Sequence, residues 1–209
     1  MNSAAHFAER HGLIVIIALG ESIVAIGLGV VHVPISGSIV AASVLGLTLA
    51  GTIWWAYFDV VSLIAERTLR RLRGEARARL ARDAYSYLHL PMIAGIVLMA
   101  LGLEEVLAAV GGEHGHTIGD PLATLPLVAM CSGVALFLLA HVAFTFRVER
   151  LVKVRRVIAA ALVLALIPVG LELPALGALA LLVALMVLLI VVETIRFAEA
   201  RERIRHEDD

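Results

Sequence analysis

A single carboxylate lies near the centre of an otherwise aliphatic stretch. Residues 12–30 read GLIVIIALGESIVAIGLGV, and the acid is Glu21, followed by Ser22. An ionised carboxylate costs about 3 kcal/mol at the middle of a membrane helix, so it must be protonated, paired or next to water. A group of this kind can load and release a proton or bind a cation. The alternative is a structural glutamic acid that is hydrogen-bonded between helices.

A second layer of ionisable residues lies at the ends of the apolar stretches. Asp59 ends the second stretch, His89 begins the third, and His141 lies about one turn before the end of the fourth. Histidine titrates near neutral pH, so these two rings could pass protons between Glu21 and the cytoplasm. Each ring taken alone also fits an interfacial or packing role. Together they predict a proton or cation site made of Glu21, Ser22, Asp59, His89 and His141.

The elements that must position these residues are membrane-spanning helices. The chain of 209 residues is 61% hydrophobic and 17% charged, with a mean hydropathy of +0.96. Soluble domains rarely exceed about half apolar residues, whereas a spanning helix needs about 20. We therefore predict an all-α polytopic bundle, a single transmembrane domain over residues 1–209. Its six spans are predicted at about 12–32, 38–58, 88–110, 122–145, 155–171 and 175–195.

The basic residues predict how the chain is threaded. Short connections rich in lysine and arginine stay in the cytoplasm. With six spans and both termini inside, all 17 basic residues fall on one side. The stretch 155–171 is short, but it must cross if the arginine-rich C-terminus is to stay inside. The prediction is a multi-pass membrane protein with both termini in the cytoplasm.

The longest basic connection, residues 66–84, predicts contact with the membrane surface. Its apolar stripe consists of Leu69, Leu72, Ala76 and Leu80. A basic amphipathic helix on the anionic inner leaflet follows, and the charge needs no nucleic-acid partner. Most aromatic side chains fall near the same boundary, which is typical of an interfacial belt. They include Trp54, Trp55, Tyr57, Phe58, Tyr85, Tyr87 and Phe144.

Small residues predict where the helices pack closely, because they let backbones approach in lipid. The second span offers a stripe of Ala42, Gly46 and Ala50, and the third offers Gly95 and Gly102. The first span carries Ala18, Ser22 and Ala25 beside its acid. We therefore expect a bundle that packs closely around Glu21.

The sequence contains few other signals of a catalytic, metal or cofactor site. The segment GGEHGHTIGDP, with His114 and His116, has metal-ligand residue types, but its glycine and proline content favours an ordinary loop. A phosphate-binding loop, a paired-histidine zinc helix, a dinucleotide fingerprint and a nucleophile elbow are all missing from the sequence. Cys131 lies alone in an apolar run. We expect no metal, no cofactor and no catalytic activity.

Three motifs resemble the bacterial low temperature requirement protein A family. They are HFAERHGLIVIIALGESIVAIG at 6–27, YSYLHLPMIAGIVLMALGLEEVL at 85–107 and HVAFTFR at 141–147. Besides Glu21, Ser22 and His89, the matching positions are Glu9, Arg10, His11, Tyr85, Tyr87, Pro91, Glu104 and Glu105. The resemblance implies a polytopic inner-membrane protein linked to growth in the cold.

The resemblance also implies a missing partner, because members of that family are nearly twice as long. This chain resembles their C-terminal half, so it is expected to be a fragment, a late start or a half-length member that pairs with another subunit. Two functions stay open. One is half of a proton- or cation-coupled transporter or channel, acting as a homo-oligomer or with a separate N-terminal half. The other is a non-transporting membrane component that acts by helix association or lipid interaction.

Overall fold

The computed structural model describes residues 4–31, 34–59, 61–112 and 119–196. These residues form helices and no strand, which confirms the predicted all-α class. A π-helical segment, Ala81–Tyr87, leads directly into the fifth α-helix. The α-helices are α1 Ala4–Leu28, α2 Gly37–Phe58, α3 Val61–Arg71, α4 Gly74–Leu80, α5 His89–Val110, α6 Thr124–Glu149, α7 Val154–Gly170 and α8 Ala175–Arg196.

Five helical stretches of the described chain are long and apolar enough to cross a membrane. They contain α1, α2, α5, α6 and α8 and coincide with five of the six predicted spans. The remaining span corresponds to α7, which has only 17 residues. Arg156, at the start of α7, bonds to Ala56 O near the end of α2 and to Glu193 near the end of α8. The end of α7 leads to the turn before Ala175, whose N–H donates to Asp120 O at 3.1 Å. That α7 crosses the membrane stays a prediction, and the positions of its two ends support it.

The helix termini gather at two ends of the bundle. We call one the arginine end; it contains the start of α1, the end of α2, all of α3 and α4, the π-helical segment, the end of α6, the start of α7 and the end of α8. Contacts such as the ion pair between Arg147 Nη2 and Asp83 Oδ2, 3.0 Å, join these pieces. We call the other the loop end, formed by the described residues 111–112, 119–123 and 171–174. There, Pro121 and Pro174 form an isolated antiparallel bridge.

Glycine sets the distance between α5 and α6. A Cβ on Gly95 would lie 2.6 Å from Gly133 O, and a Cβ on Gly133 would lie 2.6 Å from Gly95 O. Real Cβ atoms do not approach that closely, so the two backbones touch only because both side chains are absent. Gly46, on α2, similarly faces Leu103 of α5. The expected role of Gly46 and Gly95 in close packing is confirmed.

The connection 66–84 differs from a single helix lying on the leaflet. It breaks between α3 and α4, where Gly74 has a φ of +55°, and Arg77 Nε donates to Leu72 O at 2.6 Å across the break. Leu69 and Leu80 are buried in the protein core, whereas Ala76 is exposed. The predicted apolar stripe is therefore used to dock the connection on the bundle, because two buried leucines gain more there than at a headgroup boundary.

Candidate functional site

The two predicted histidines are both buried near the arginine end. His89 is 2% exposed and His141 is 0% exposed. Nδ1 of His89 lies 3.2 Å from Ala84 O, and Nε2 lies 2.8 Å from the Tyr57 hydroxyl. A carbonyl only accepts, so Nδ1 carries the proton. Nε2 of the neutral ring then accepts from Tyr57, and the ring is fixed in one tautomer.

Aromatic rings enclose His89. Tyr85 stacks parallel to it with centroids 5.5 Å apart, and Phe144 meets it edge-on at 5.1 Å. His11, from α1, contributes a third ring at 5.2 Å. The π-helical segment supplies both Tyr85 and the carbonyl of Ala84, a widened turn of the kind that is frequent at functional sites. This wall keeps water away from one side of the imidazole.

A buried arginine connects His141 to α8. Arg156 is 5% exposed and makes two hydrogen bonds to the Glu193 carboxylate, from Nε to Oε1 at 3.0 Å and from Nη2 to Oε2 at 2.7 Å. Its Nη1 donates to Ala56 O at 3.1 Å and to His141 Nδ1 at 2.5 Å. A guanidinium only donates, so Nδ1 of His141 is the acceptor and the ring is neutral. Four helices thus converge on one cation.

These side chains form one continuous cluster. Tyr57 lies between the histidines, with its ring 5.6 Å from His89 and 6.3 Å from His141. The cluster therefore runs from His11 to Glu193 across the arginine end. The Tyr57 hydroxyl bonds to Nε2 of His89, and the polar contacts of the cluster run across the bundle.

Glu21 is not part of this cluster. Its side chain is exposed on α1, and no hydrogen bond or ion pair joins it to a described residue. It lies ten residues beyond His11, which is about 15 Å along the helix. The expectation that the bundle packs around Glu21 is wrong, because Ala18, Ser22 and Ala25 turn inward and leave the acid on the outer face. The Ser22 hydroxyl is fully buried and has no hydrogen-bond partner among the described residues.

The other predicted residues occupy scattered positions. Asp59 is half-buried directly after α2, and Pro91 is half-buried in the first turn of α5. Glu104 is half-buried and Glu105 exposed near the loop end of α5. Of the family-motif residues at the arginine end, Glu9, Arg10 and Tyr87 are exposed, while His11 is half-buried and Tyr85 is buried.

His114 and His116 lie outside the described residues. Within the described ranges, no group of three or more histidine, cysteine, aspartate or glutamate residues could hold a metal ion.

Sequence reasoning missed the centre of the cluster. Arg156 was used only to orient the chain, and Tyr57 and Tyr85 were assigned to an interfacial belt. Both tyrosines are at most 2% exposed. A usable signal was present, since Arg156 and Glu193 sit at the same predicted boundary on the two arms of a helical hairpin. A buried charge without a partner costs free energy, so an acid and a base at this boundary can be predicted to pair.

The sequence model of the Bacterial low temperature requirement A protein (LtrA) family matches residues 1–191. The chain belongs to this family. The matched residues include the whole cluster except Glu193 and all three motifs at 6–27, 85–107 and 141–147. No curated protein and no solved structure matches the chain. Family membership and the long apolar helices together establish a membrane protein of the LtrA family.

Proposed function

We propose that this LtrA family protein is a non-conducting component of the bacterial inner membrane that binds lipid headgroups through its arginine end, which faces the cytoplasm. The position of Glu21 carries the proposal. A proton path needs polar groups or water in short steps, yet this acid lies outside the core and about 15 Å beyond His11.

The core between the histidines and the loop end supports the same conclusion. It is filled on α5 and α6 by side chains that are 0% exposed, namely Met92, Ile96, Met99, Leu103, Met130, Val134 and Phe137. Apolar interiors of this kind stay dry, because a buried water needs two to four polar partners.

The charge at the arginine end supports lipid binding. Exposed arginines lie on and around α3 and α4, at Arg70, Arg71, Arg73, Arg79 and Arg82. Burial of Leu69 and Leu80 holds this surface on the bundle. Each basic residue near an anionic leaflet contributes about 1 kcal/mol of attraction. Several of them on one rigid surface would hold this end firmly against anionic headgroups.

A transporter half is the second candidate, and the buried cluster favours it. Ionisable side chains inside a membrane protein are costly and are usually functional, and His89, His141, Arg156 and Glu193 all meet here. A path would then follow the outer face of α1 past Glu21. It would be closed by a second copy or by a separate N-terminal half.

A proton-flux assay separates the two candidates. Purified protein is reconstituted into liposomes that hold a pH-sensitive dye, and an outside pH jump is applied. We expect the same leak as in protein-free liposomes for the wild type, Glu21→Gln and the matched control Glu172→Gln, an exposed acid of the loop end. A protonophore added at the end must collapse the gradient. A wild-type flux that only Glu21→Gln removes would reject our proposal and establish the transporter half.

Lipid binding is measured separately by native mass spectrometry of the protein released from mixed micelles. We expect phosphatidylglycerol to be retained over phosphatidylcholine, and Arg71→Gln/Arg73→Gln to lose most of this preference. Arg10→Gln/Arg196→Gln removes the same charge from the arginine end outside α3 and α4. Equal losses in the two double variants would show that general charge, and not this surface, selects the lipid.

A further inference from the structure

A cavity of about 390 Å³ opens beside the histidine cluster at the arginine end. It lies between α1, α2, α3 and the π-helical segment. One wall is apolar and is formed by Gly12, Leu13, Ile16 and Phe58. Leu13 and Ile16 are 56% and 46% exposed, so this wall continues onto the lipid-facing side of α1. An aliphatic chain can therefore enter from the side.

Two acidic side chains also belong to the cavity lining. Glu9 and Glu66 both line it, and its described lining contains no lysine or arginine. This is unusual at the end of the molecule where the basic residues gather. One oxygen of Glu66 is paired with Arg70 Nη2 at 2.5 Å, and Glu9 pairs with the exposed His6 at 3.0 Å. Both carboxylates thus lie next to an apolar wall.

A buried hydroxyl without a partner belongs to the same cavity. Tyr85 lines the cavity, is 2% exposed and makes no hydrogen bond through its hydroxyl with any described residue. Leaving such a group unpaired is unfavourable. The neighbouring Tyr57 hydroxyl is already bonded to His89. The Tyr85 hydroxyl is thus an unused hydrogen-bonding group in a residue of the cavity wall, and a bound molecule that reaches it would satisfy it.

We propose that this cavity binds the ammonium group of an amphiphile, with its aliphatic chain along Leu13 and Ile16. Each carboxylate has a second oxygen beyond the one paired with Arg70 or His6, so the two can accept hydrogen bonds from an ammonium group, and the Phe58 ring adds a cation–π contribution. An anion or a neutral polar group would gain less from these groups. The site deepens the proposed function, on which it rests, by naming one headgroup chemistry that the arginine end recognises.

Dodecylamine is the probe for this site, with binding to the purified full chain in maltoside micelles followed by native mass spectrometry. We expect saturable binding of one molecule. Dodecanol has the same chain without the charge, and it should bind at least about tenfold more weakly, because it lacks the charge-assisted hydrogen bonds to the two carboxylates. Equal affinity for dodecanol would overturn the proposal.

Two variants with matched controls locate the binding. Gly12→Leu fills the cavity, since a Cβ there already lies 3.4 Å from the Phe58 ring, whereas Gly20→Leu on the same helix meets nothing within 4 Å. We expect at least a tenfold loss of dodecylamine affinity for the first and less than twofold for the second. Glu66→Gln should also lose about tenfold, and Glu75→Gln, on the exposed α4, should not. Unchanged binding in both Gly12→Leu and Glu66→Gln would overturn the assignment.

The source of the ammonium group is decided by competition. Phosphatidylethanolamine and phosphatidylcholine with identical chains are added against bound dodecylamine. Displacement by the first alone supports an inner-leaflet lipid as the occupant, and displacement by neither supports a free long-chain amine. Equal displacement by both lipids would mean that the chain alone binds, which contradicts the proposal. None of these outcomes depends on the flux assay, so the two proposals fail separately.

Discussion

The arginine end and the contact between α5 and α6 are stabilised in opposite ways. At the arginine end, one guanidinium is shared among Glu193, Ala56 O and His141. Between α5 and α6, the glycine pair Gly95 and Gly133 brings two backbones into direct contact. The arginine end depends on each polar group having a hydrogen-bond partner, whereas the contact between α5 and α6 depends on the absence of side chains at its two glycines.

This difference shows which region specifies the fold and which leaves room for chemistry. A close glycine contact has one geometry, and any added atom disrupts it. The polar cluster holds two imidazoles, whose charge can change without a change in side-chain volume. We therefore expect the glycine contact to govern stability alone, whereas the cluster governs stability and any response to ligands or protons.

The largest effect is expected from breaking the buried ion pair. Glu193→Gln leaves the Arg156 guanidinium buried without a counter-charge, which costs about 3–5 kcal/mol. The free energy of unfolding is measured by titrating micelles of the purified protein with dodecyl sulfate. The control is Glu75→Gln, whose partner Arg79 is 57% exposed, and it should cost less than about 1 kcal/mol. Equal small losses would show that Arg156 is hydrated in solution.

The glycine contact should give the next effect. Gly133→Ala places a methyl group 2.6 Å from Met99 N as well as Gly95 O, and the helices must separate at a cost of about 1–3 kcal/mol. The same unfolding titration applies. Gly51→Ala is the matched control, because nothing lies within 4 Å of its added Cβ. Equal stability of the two variants would contradict direct backbone contact between α5 and α6.

The smallest effect is expected from the exposed side of the arginine end. Hydrogen bonds from Arg147, and then from Arg82, lower the pKa of the Asp83 carboxyl below its usual value. Because the folded pKa is the lower one, this stabilisation is complete above the unfolded pKa, about 4, and is lost as the pH falls through the folded pKa. Asp83→Asn should lower the melting temperature slightly at pH 7, and the difference from the wild type should disappear in acid. A difference that grows on acidification would contradict the assignment.

The helices were predictable because lipid imposes a simple rule on them. Apolar stretches long enough to cross the membrane gave five elements close to their observed bounds, and small residues marked Gly95 as a place of close packing without naming its partner helix. The inward turn of Leu69 and Leu80 was not predictable, since a basic amphipathic segment has the same pattern whether its leucines enter lipid or protein. Only packing against the bundle decides between the two.

The candidate site was predictable in part, for a related reason. His89 and His141 were identified by residue type and helix position, and the structure brings them together. Glu21 was placed inside because its neighbours Ala18 and Ser22 are small. Glu21 is about 100° from Ser22 but only about 40–60° from Ala18 and Ala25 around the helix, so it lies at the edge of the small-residue stripe, and the same pattern fits an edge residue that faces either the protein or the lipid. Arg156 was missed because topology alone already accounted for its charge.

The bridge at the loop end limits how this bundle can move. Pro121 pairs with Pro174, and the N–H of Ala175 donates to Asp120 O at 3.1 Å. This contact joins the turn before α6 to the turn between α7 and α8, so sliding these helices past one another requires breaking a backbone hydrogen bond. Motions that keep the contact intact are rotations about the loop end, and they displace the far side of the molecule most.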